Sequence, residues 1–377
     1  MTGLPFNRAD IDARDRALLA EAIEGGHVSG NGPFTRRAEA TLGGRLGGAR
    51  VLLTTSCTHA LEMAALLARV GPGDEVIVPA FTFVSTASAF MLAGATPVFV
   101  DVDRDTLNVD PRLVEAAITP RTKAIVVVHY GGVACDMDAI GALVARHGLF
   151  LVEDNAHGLF ATYRGRSLGT FGHLATQSFH ETKNVTCGEG GALVVNDSAL
   201  AERAEILREK GTDRSRFLRD QVDKYTWVDV GSSWVLSDML AAILCGQLER
   251  ADAVTARRLA IWDAYHDGLA DWAIARGVRR PVVPEGCVHT GHVYHLRFPR
   301  LETRQAFIAH LAARGVMAVF HYQPLHLSTV GRRLGGAPGQ HPVTEEAGDC
   351  LVRLPLFASM SDADIGRVID AATTFSA

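Results

Sequence analysis

Strand–helix alternation between residues 50 and 200 constrains the fold of this chain more than any other feature of its sequence. Short β-branched runs at 51–54, 75–78, 97–100, 124–128, 149–153, 175–179 and 192–195 read as strands. Between them, residues 58–70 carry helical spacing at Leu61, Ala64, Ala65 and Ala68, and 83–92 is helix-like as well. The runs at 124–128 and 149–153 are almost continuously apolar, as strands covered on both faces must be. Such alternation predicts an α/β fold with a mostly parallel sheet between helical layers.

After Trp227 the pattern changes. Helices are expected at 237–251 and 255–269, a strand at 292–298, and an amphipathic helix at 302–314 with Phe307, Ile308 and Leu311 inward and Gly315 closing it. A strand at 316–320 and a last helix at 362–375, capped by Ser361, complete the chain. The expectation is a large domain over 1–245 and a smaller α+β domain over 246–377, joined through the helices at 237–269. A length of 377 residues suits two domains or one large one, with 47% hydrophobic residues to fill the cores.

In open α/β sheets, ligands bind beyond the C-terminal ends of the strands, so the residues after each strand matter most. Thr55-Ser56-Cys57-Thr58 follows the first strand and leads directly into a helix. Small hydroxyl residues there either cradle an anion at the positive end of the helix or serve as a plain N-cap. Asp154-Asn155-Ala156-His157 follows the strand at 149–153. An acid at the end of a buried strand needs donors or a cation. Asp154 therefore either caps a loop or faces a protonated ligand nitrogen, with His157 beside it.

Composition becomes informative at the strand 175–179, which is followed by His180-Glu181-Thr182-Lys183-Asn184. Of the 37 basic residues only four are lysines, Lys123, Lys183, Lys210 and Lys224. Arginine cannot deprotonate in a protein and so cannot form a Schiff base. A lysine kept among so many arginines points to a use for its amine. Lys123 begins a strand at the surface, and Lys210 and Lys224 lie in charged or polar runs, whereas Lys183 ends a strand in a Gly-rich, largely uncharged surround. A covalent lysine in this chain would be Lys183. An anion cradle, an acid for a pyridinium, an imidazole and a Schiff-base lysine are the fixtures of a pyridoxal phosphate site. Phe83 is then either a ring-stacking partner or an ordinary core aromatic.

Other chemistries lack their fingerprints. His289, His292 and His295 are spaced like metal ligands, but alternation sends His292 and His295 to opposite faces, and no metal is expected. His180-Glu181 has no second histidine for a zincin motif, and neither GxGxxG after a strand nor GxxxxGK[ST] occurs. The net charge of −5 gives no electrostatic case for nucleic acid. No uncharged apolar run reaches the roughly 18 residues of a membrane span. The N-terminus carries no secretory pattern and the six cysteines are scattered, which fits reduced thiols and a cytoplasmic location.

Five segments resemble the DegT/StrS sugar aminotransferases, pyridoxal phosphate enzymes of fold type I, the aspartate aminotransferase class. They are Ser56-Cys57-Thr58-His59-Ala60, Pro79-Ala80-Phe81-Thr82-Phe83, Val128-His129-Tyr130, Glu153-Asp154-x-Ala156-His157 and Ser178-Phe179-His180-x-Thr182-Lys183-Asn184. The likeness runs from about residue 27 to Arg353-Leu354-Pro355-Leu356-Phe357. Arg208-Glu209-Lys210-Gly211-Thr212, Lys224-Tyr225-Thr226-Trp227 and His321-Tyr322-x-Pro324-Leu325-His326 are most similar to the dTDP-4-amino-4,6-dideoxygalactose transaminases. That resemblance implies dTDP-4-keto-6-deoxy-D-glucose as acceptor, L-glutamate as donor, and a homodimer with a shared active site. It makes Lys183 the covalent lysine, pairs Asp154 with the pyridinium nitrogen and puts His157 near the ring hydroxyl. Ser56, Cys57, Thr58 and Ser178 would hold the phosphate, and Phe83 would stack on the ring. Ser233 stands where many members carry a phosphate-binding Asn from the partner subunit, and Asn155 replaces a frequent alanine. Phe81, His321 and Tyr322 are expected at the sugar. Family members with histidine in place of the lysine are dehydratases, so Lys183 indicates transamination. The opposing reading is a non-catalytic or regulatory relative that binds sugar nucleotide, which the intact Lys183, Asp154 and His157 disfavour.

Overall fold

Seven strands form the main sheet of the computed structural model, which describes residues 3–376. They are β1 (Arg50–Thr54), β2 (Glu75–Pro79), β3 (Thr96–Val100), β4 (Thr122–Val128), β5 (Phe150–Asp154), β6 (Leu174–Ser178) and β7 (Gly191–Val195). Their order across the sheet is β1-β7-β6-β5-β4-β2-β3. Pairings from β3 through β6 are parallel, and β7 is antiparallel to both of its neighbours. Every strand except β7 therefore points its C-terminus toward one edge. This is the fold type I arrangement expected of the sequence, a large mostly parallel α/β sheet.

The continuous apolar runs have a simple cause. Val126 and Val152 face one helical layer while Ile125, Val127 and Leu151 face the other, and all five are buried. Each such side chain contributes about 1.5–3 kcal/mol on burial, so neither face tolerates polar alternation.

A second, antiparallel sheet of β8 (Tyr294–Arg297), β9 (Val319–Phe320) and β10 (Leu351–Leu354), in the order β8-β10-β9, lies in the C-terminal part. Helices Ala251–Gly268, Leu301–Ala313 and Asp362–Thr373 pack on it through Tyr265, Phe307 and Val368. Ser361 caps the last helix reciprocally with Asp364. Leu4 joins the same core and its N–H donates to the Gly315 carbonyl at 2.7 Å.

Several expected boundaries move, three of them with consequences for the site or a visible cause. The strand at 316–320 shortens to Val319–Phe320, because Val316 is occupied in a single parallel bridge with Leu4. The strand at 292–298 shortens to Tyr294–Arg297, because the Arg258 guanidinium takes the carbonyls of Gly291 and His292 at 3.1 and 2.7 Å. The helix expected from 83 begins at Ser85 and leaves Phe83 in the preceding loop. All six cysteines are free thiols. Among the described residues no helix is long and apolar enough to cross a membrane.

Candidate active site

Helix Cys57–Leu67 starts almost immediately after β1. Ser56 is its N-cap, accepting the His59 N–H on Oγ at 3.1 Å, and Thr58 Oγ1 lies 2.8 Å from Ser85 Oγ at the start of the next helix. The capping reading of Ser56 is therefore correct, and it does not exclude the anion cradle. The first helical N–H groups, those of Cys57 and Thr58, have no acceptor within the helix and mark its positive end. Gly191 opposite lets β7 approach this turn, where any Cβ would collide with the backbone of Ser56 and Cys57. The Cys57 thiol is pushed up to about 12 by burial and stays protonated.

Asp154 is the last residue of β5 and only 5% exposed. Its carboxylate accepts from Thr86 Oγ1 at 2.7 Å and from the Ala156 N–H at 3.3 Å, and Thr86 is itself tied to Thr82 at 2.8 Å. Burial still raises its pKa above the ordinary carboxylate value, outweighing those bonds and the charge of Lys183. A carboxyl in this condition lacks one positive partner.

Lys183 follows β6 in a turn and is half-buried. Burial lowers its amine to about 8, with Arg353 adding repulsion and Asp154 and Cys57 opposing the shift. The other three lysines are exposed. His157 is buried, receives the Gly131 N–H on Nδ1 at 3.3 Å, and approaches the Tyr322 hydroxyl at 3.4 Å through Nε2. Burial, Lys183 and Arg353 keep its pKa well below the usual imidazole value, so the ring is neutral.

These groups share one cavity of about 810 Å³. Ser56, Cys57, Thr58, Asp154, His157 and Lys183 all line it. Ser178, Phe83, His321 and Tyr322 also line it. Phe83 is 56% exposed, which removes its reading as a core aromatic. His321 Nδ1 is 3.0 Å from the Tyr130 hydroxyl. Phe81, expected at the sugar, does not line the cavity: at 1% exposure it packs edge-on against Tyr130 and Tyr322, behind them. Ser233 is exposed, bridges to Glu209 and lies outside this chain's cavity.

The three spaced histidines diverge. His289 packs on Trp262, His292 lies tilted with its ring 4.3 Å from that of His157 and bonds Asn184, and His295 meets Tyr130. Among the described residues no group of three His, Cys, Asp or Glu could hold a metal ion.

Arg353 also lines the cavity and was not singled out by the sequence reading. Its Nη2 donates to the Phe320 carbonyl at 3.1 Å, its Nε is buried without a partner, and no carboxylate pairs with it among the described residues. A signal was present: Val352 and Leu354 face the C-terminal core, so Arg353 between them must face the other way.

The chain matches the model of the DegT/DnrJ/EryC1/StrS aminotransferase family over residues 9–373. Spr1654 of Streptococcus pneumoniae, named as a sugar aminotransferase and solved in its PMP form, is 30% identical with a TM-score of 0.92, covering 99% of this chain and 97% of its own. TlmJ, an aminotransferase from Streptoalloteichus hindustanus, is 34% identical with a TM-score of 0.90 and 98% of each chain covered. DesV of S. venezuelae, solved with a ketimine intermediate, is 34% identical with a TM-score of 0.89, covering 99% of this chain and 98% of its own. With a match that spans nearly its whole length and a shared fold, this chain belongs to the DegT/DnrJ/EryC1/StrS aminotransferase family.

Proposed function

We propose that this protein transfers the amino group of L-glutamate to the C4 ketone of dTDP-4-keto-6-deoxy-D-glucose, as a cytoplasmic homodimer with a shared active site. It is a pyridoxal-phosphate-dependent sugar aminotransferase, like relatives solved in PLP and PMP forms. The observation that carries the reading is the meeting of a low-pKa lysine, an uncompensated buried carboxyl and a helix N-terminus in one cavity. The donor set fits pyridoxal phosphate on its own chemistry. The N–H groups of Cys57 and Thr58, with the hydroxyls of Ser56, Thr58 and Ser178, suit a phosphate. Asp154 suits a protonated ring nitrogen, Phe83 a ring face and His157 the ring hydroxyl. Ser233 of each chain is assigned to the phosphate bound in the other.

When bound, the cofactor supplies an electron sink for the bonding pair at the donor's Cα. Asp154 holds the proton on the ring nitrogen by opposing charge, which keeps that sink effective. Lys183, its amine lowered to about 8 by burial, is the residue that would take and return the proton at the donor's Cα. His157, kept neutral, orients the ring without adding a second positive charge. His321 and Tyr322 border the space left for the sugar.

Arg353 lines the cavity with a buried Nε that has no acceptor, whereas Arg258, which also lines it, is held by the Gly291 and His292 carbonyls; Arg353 is therefore assigned to a carboxylate of the glutamate donor. Arg353→Ala is expected to raise KM for glutamate about 10- to 100-fold, from the roughly 1.5–3 kcal/mol of a charged hydrogen bond. The KM for the ketosugar should stay within about two-fold of its starting value, and steady-state kinetics with each substrate varied separately would check both. Equal effects on the two substrates would remove the assignment.

The reading as a whole is tested by incubating cofactor-loaded protein with dTDP-4-keto-6-deoxyglucose and glutamate and following product by NMR. A 4-amino-4,6-dideoxyhexose nucleotide and 2-oxoglutarate are expected. Turnover only with another ketosugar would overturn the substrate, and none with any ketone would overturn the reaction.

A further inference from the structure

A second cavity, of about 620 Å³, shares no lining residue with the active site. Arg279, Arg280 and Arg297 line it together with Trp262, His266 and His289. Pro281, Val282 and Val283 supply an apolar side. Asp105 is the one carboxylate in the lining, 3.7 Å from Arg279 Nη1.

The arginine arrangement is costly as it stands. Arg279 and Arg297 exchange both backbone hydrogen bonds at 2.9 Å in an antiparallel bridge, which sets their Cβ atoms side by side on one face. Like charges directly opposite destabilise such a pair. Arg297 is only 3% exposed, its Nη2 is spent on the Arg104 carbonyl, and its Nη1 is buried with no partner. His266 Nδ1 is likewise buried and unpartnered. The nearby acids do not resolve this: Glu346 is held by Arg104 at 2.8 Å, and Asp263 and Asp267 do not line the cavity. Arg280 also lines the cavity, with its Nη1 donated to the His266 carbonyl. A buried guanidinium nitrogen with nothing to donate to, on a residue set side by side with Arg279, is a site built for an anion.

The geometry points to a binding site here for a small phosphate-bearing metabolite. Its phosphate meets Arg297, Arg279 and Arg280, and its organic part lies along Pro281–Val283. Arginine's planar fork matches phosphate oxygens two at a time, so the Arg279–Arg297 pair, with Arg280 lining the same cavity, favours a phosphate or diphosphate over a single carboxylate. The cavity volume lies within the usual range for small-molecule sites.

The test is calorimetric titration of the cofactor-loaded enzyme with inorganic pyrophosphate. Loading fills the phosphate cradle of the active site beforehand. One pyrophosphate per chain is expected, with Arg279→Ala and Arg280→Ala each weakening it about tenfold and the double variant losing it. Transaminase turnover should remain within about two-fold in both single variants, since neither residue lines the active site. Absence of binding would overturn the proposal. So would binding that survives the double variant, or binding lost in Arg353→Ala and kept in Arg279→Ala, which would place the anion in the catalytic cavity.

Discussion

Lys183→Ala should bind pyridoxal phosphate without a covalent link and lose turnover by at least about 10⁴-fold. Two roles end together in that variant, the covalent attachment and the proton shuttle, and no other lysine lines the cavity to replace either. Cofactor absorbance that borohydride no longer fixes to the protein would check the first role, and stopped assays of product would check the second. Normal rates in this variant would overturn the assignment. A stability measurement adds a readout independent of catalysis. In cofactor-free protein the amine falls from 10.5 to about 8 on folding, so below that range both folded and unfolded chains hold the proton. Between the two values the unfolded chain binds a proton that the folded chain has released, and stability rises with pH. Urea midpoints of the cofactor-free protein should therefore climb from near pH 8 toward 10.5, and Lys183→Ala should flatten that climb.

The features that sequence made legible are those with a local physical cause. Val126 and Ile125 betray a doubly covered strand because adjacent side chains in β4 must each find an apolar layer. Asp154 stands out because a charge at the end of such a strand demands compensation, and Lys183 because the chain spends its positive charge elsewhere on arginine. What stayed hidden depends on contacts between distant segments. Val316 has strand-like neighbours but is diverted by Leu4, more than three hundred residues away. Phe81 and Phe83 look equivalent in sequence, two residues apart and on the same side of the pattern. Only the fold, by laying Tyr130 and Tyr322 over Phe81, buries one and leaves the other at the cavity. The two-residue strands Thr162–Tyr163, Arg166–Ser167 and Cys287–Val288 form a small sheet that no periodicity announces, since two residues carry none.

Asp154→Asn should leave the fold and cofactor binding in place and lower turnover about 10³-fold. The adjoining acid explains why Asp154 in particular is the sensitive one. Glu153, one residue earlier and pointing to the opposite face, accepts the N–H groups of Gly169, Phe171 and Gly172 at 2.8, 2.6 and 2.7 Å. His129 adds a fourth bond at 2.9 Å from Nε2, while its Nδ1 accepts the Cys135 N–H at 3.2 Å. Glu153 is thus fully satisfied within the chain, as a structural anchor of β5, whereas Asp154 has two donors and a raised pKa. Of the two neighbouring carboxyls, the one short of donors and with a raised pKa is the one reserved for chemistry. Asparagine keeps the size and can still accept from Thr86, but it carries no charge to hold a proton on the ring nitrogen. A loss through misfolding and a loss through electrostatics are separable here. Asp154→Glu should recover part of the rate, and so should Asp154→Asn loaded with a pyridoxal phosphate methylated at the ring nitrogen, whose positive charge is permanent. Recovery with the methylated cofactor would confirm that Asp154 acts by keeping the ring charged. No recovery, together with unchanged cofactor affinity, would mean that the carboxylate serves the active site in another way.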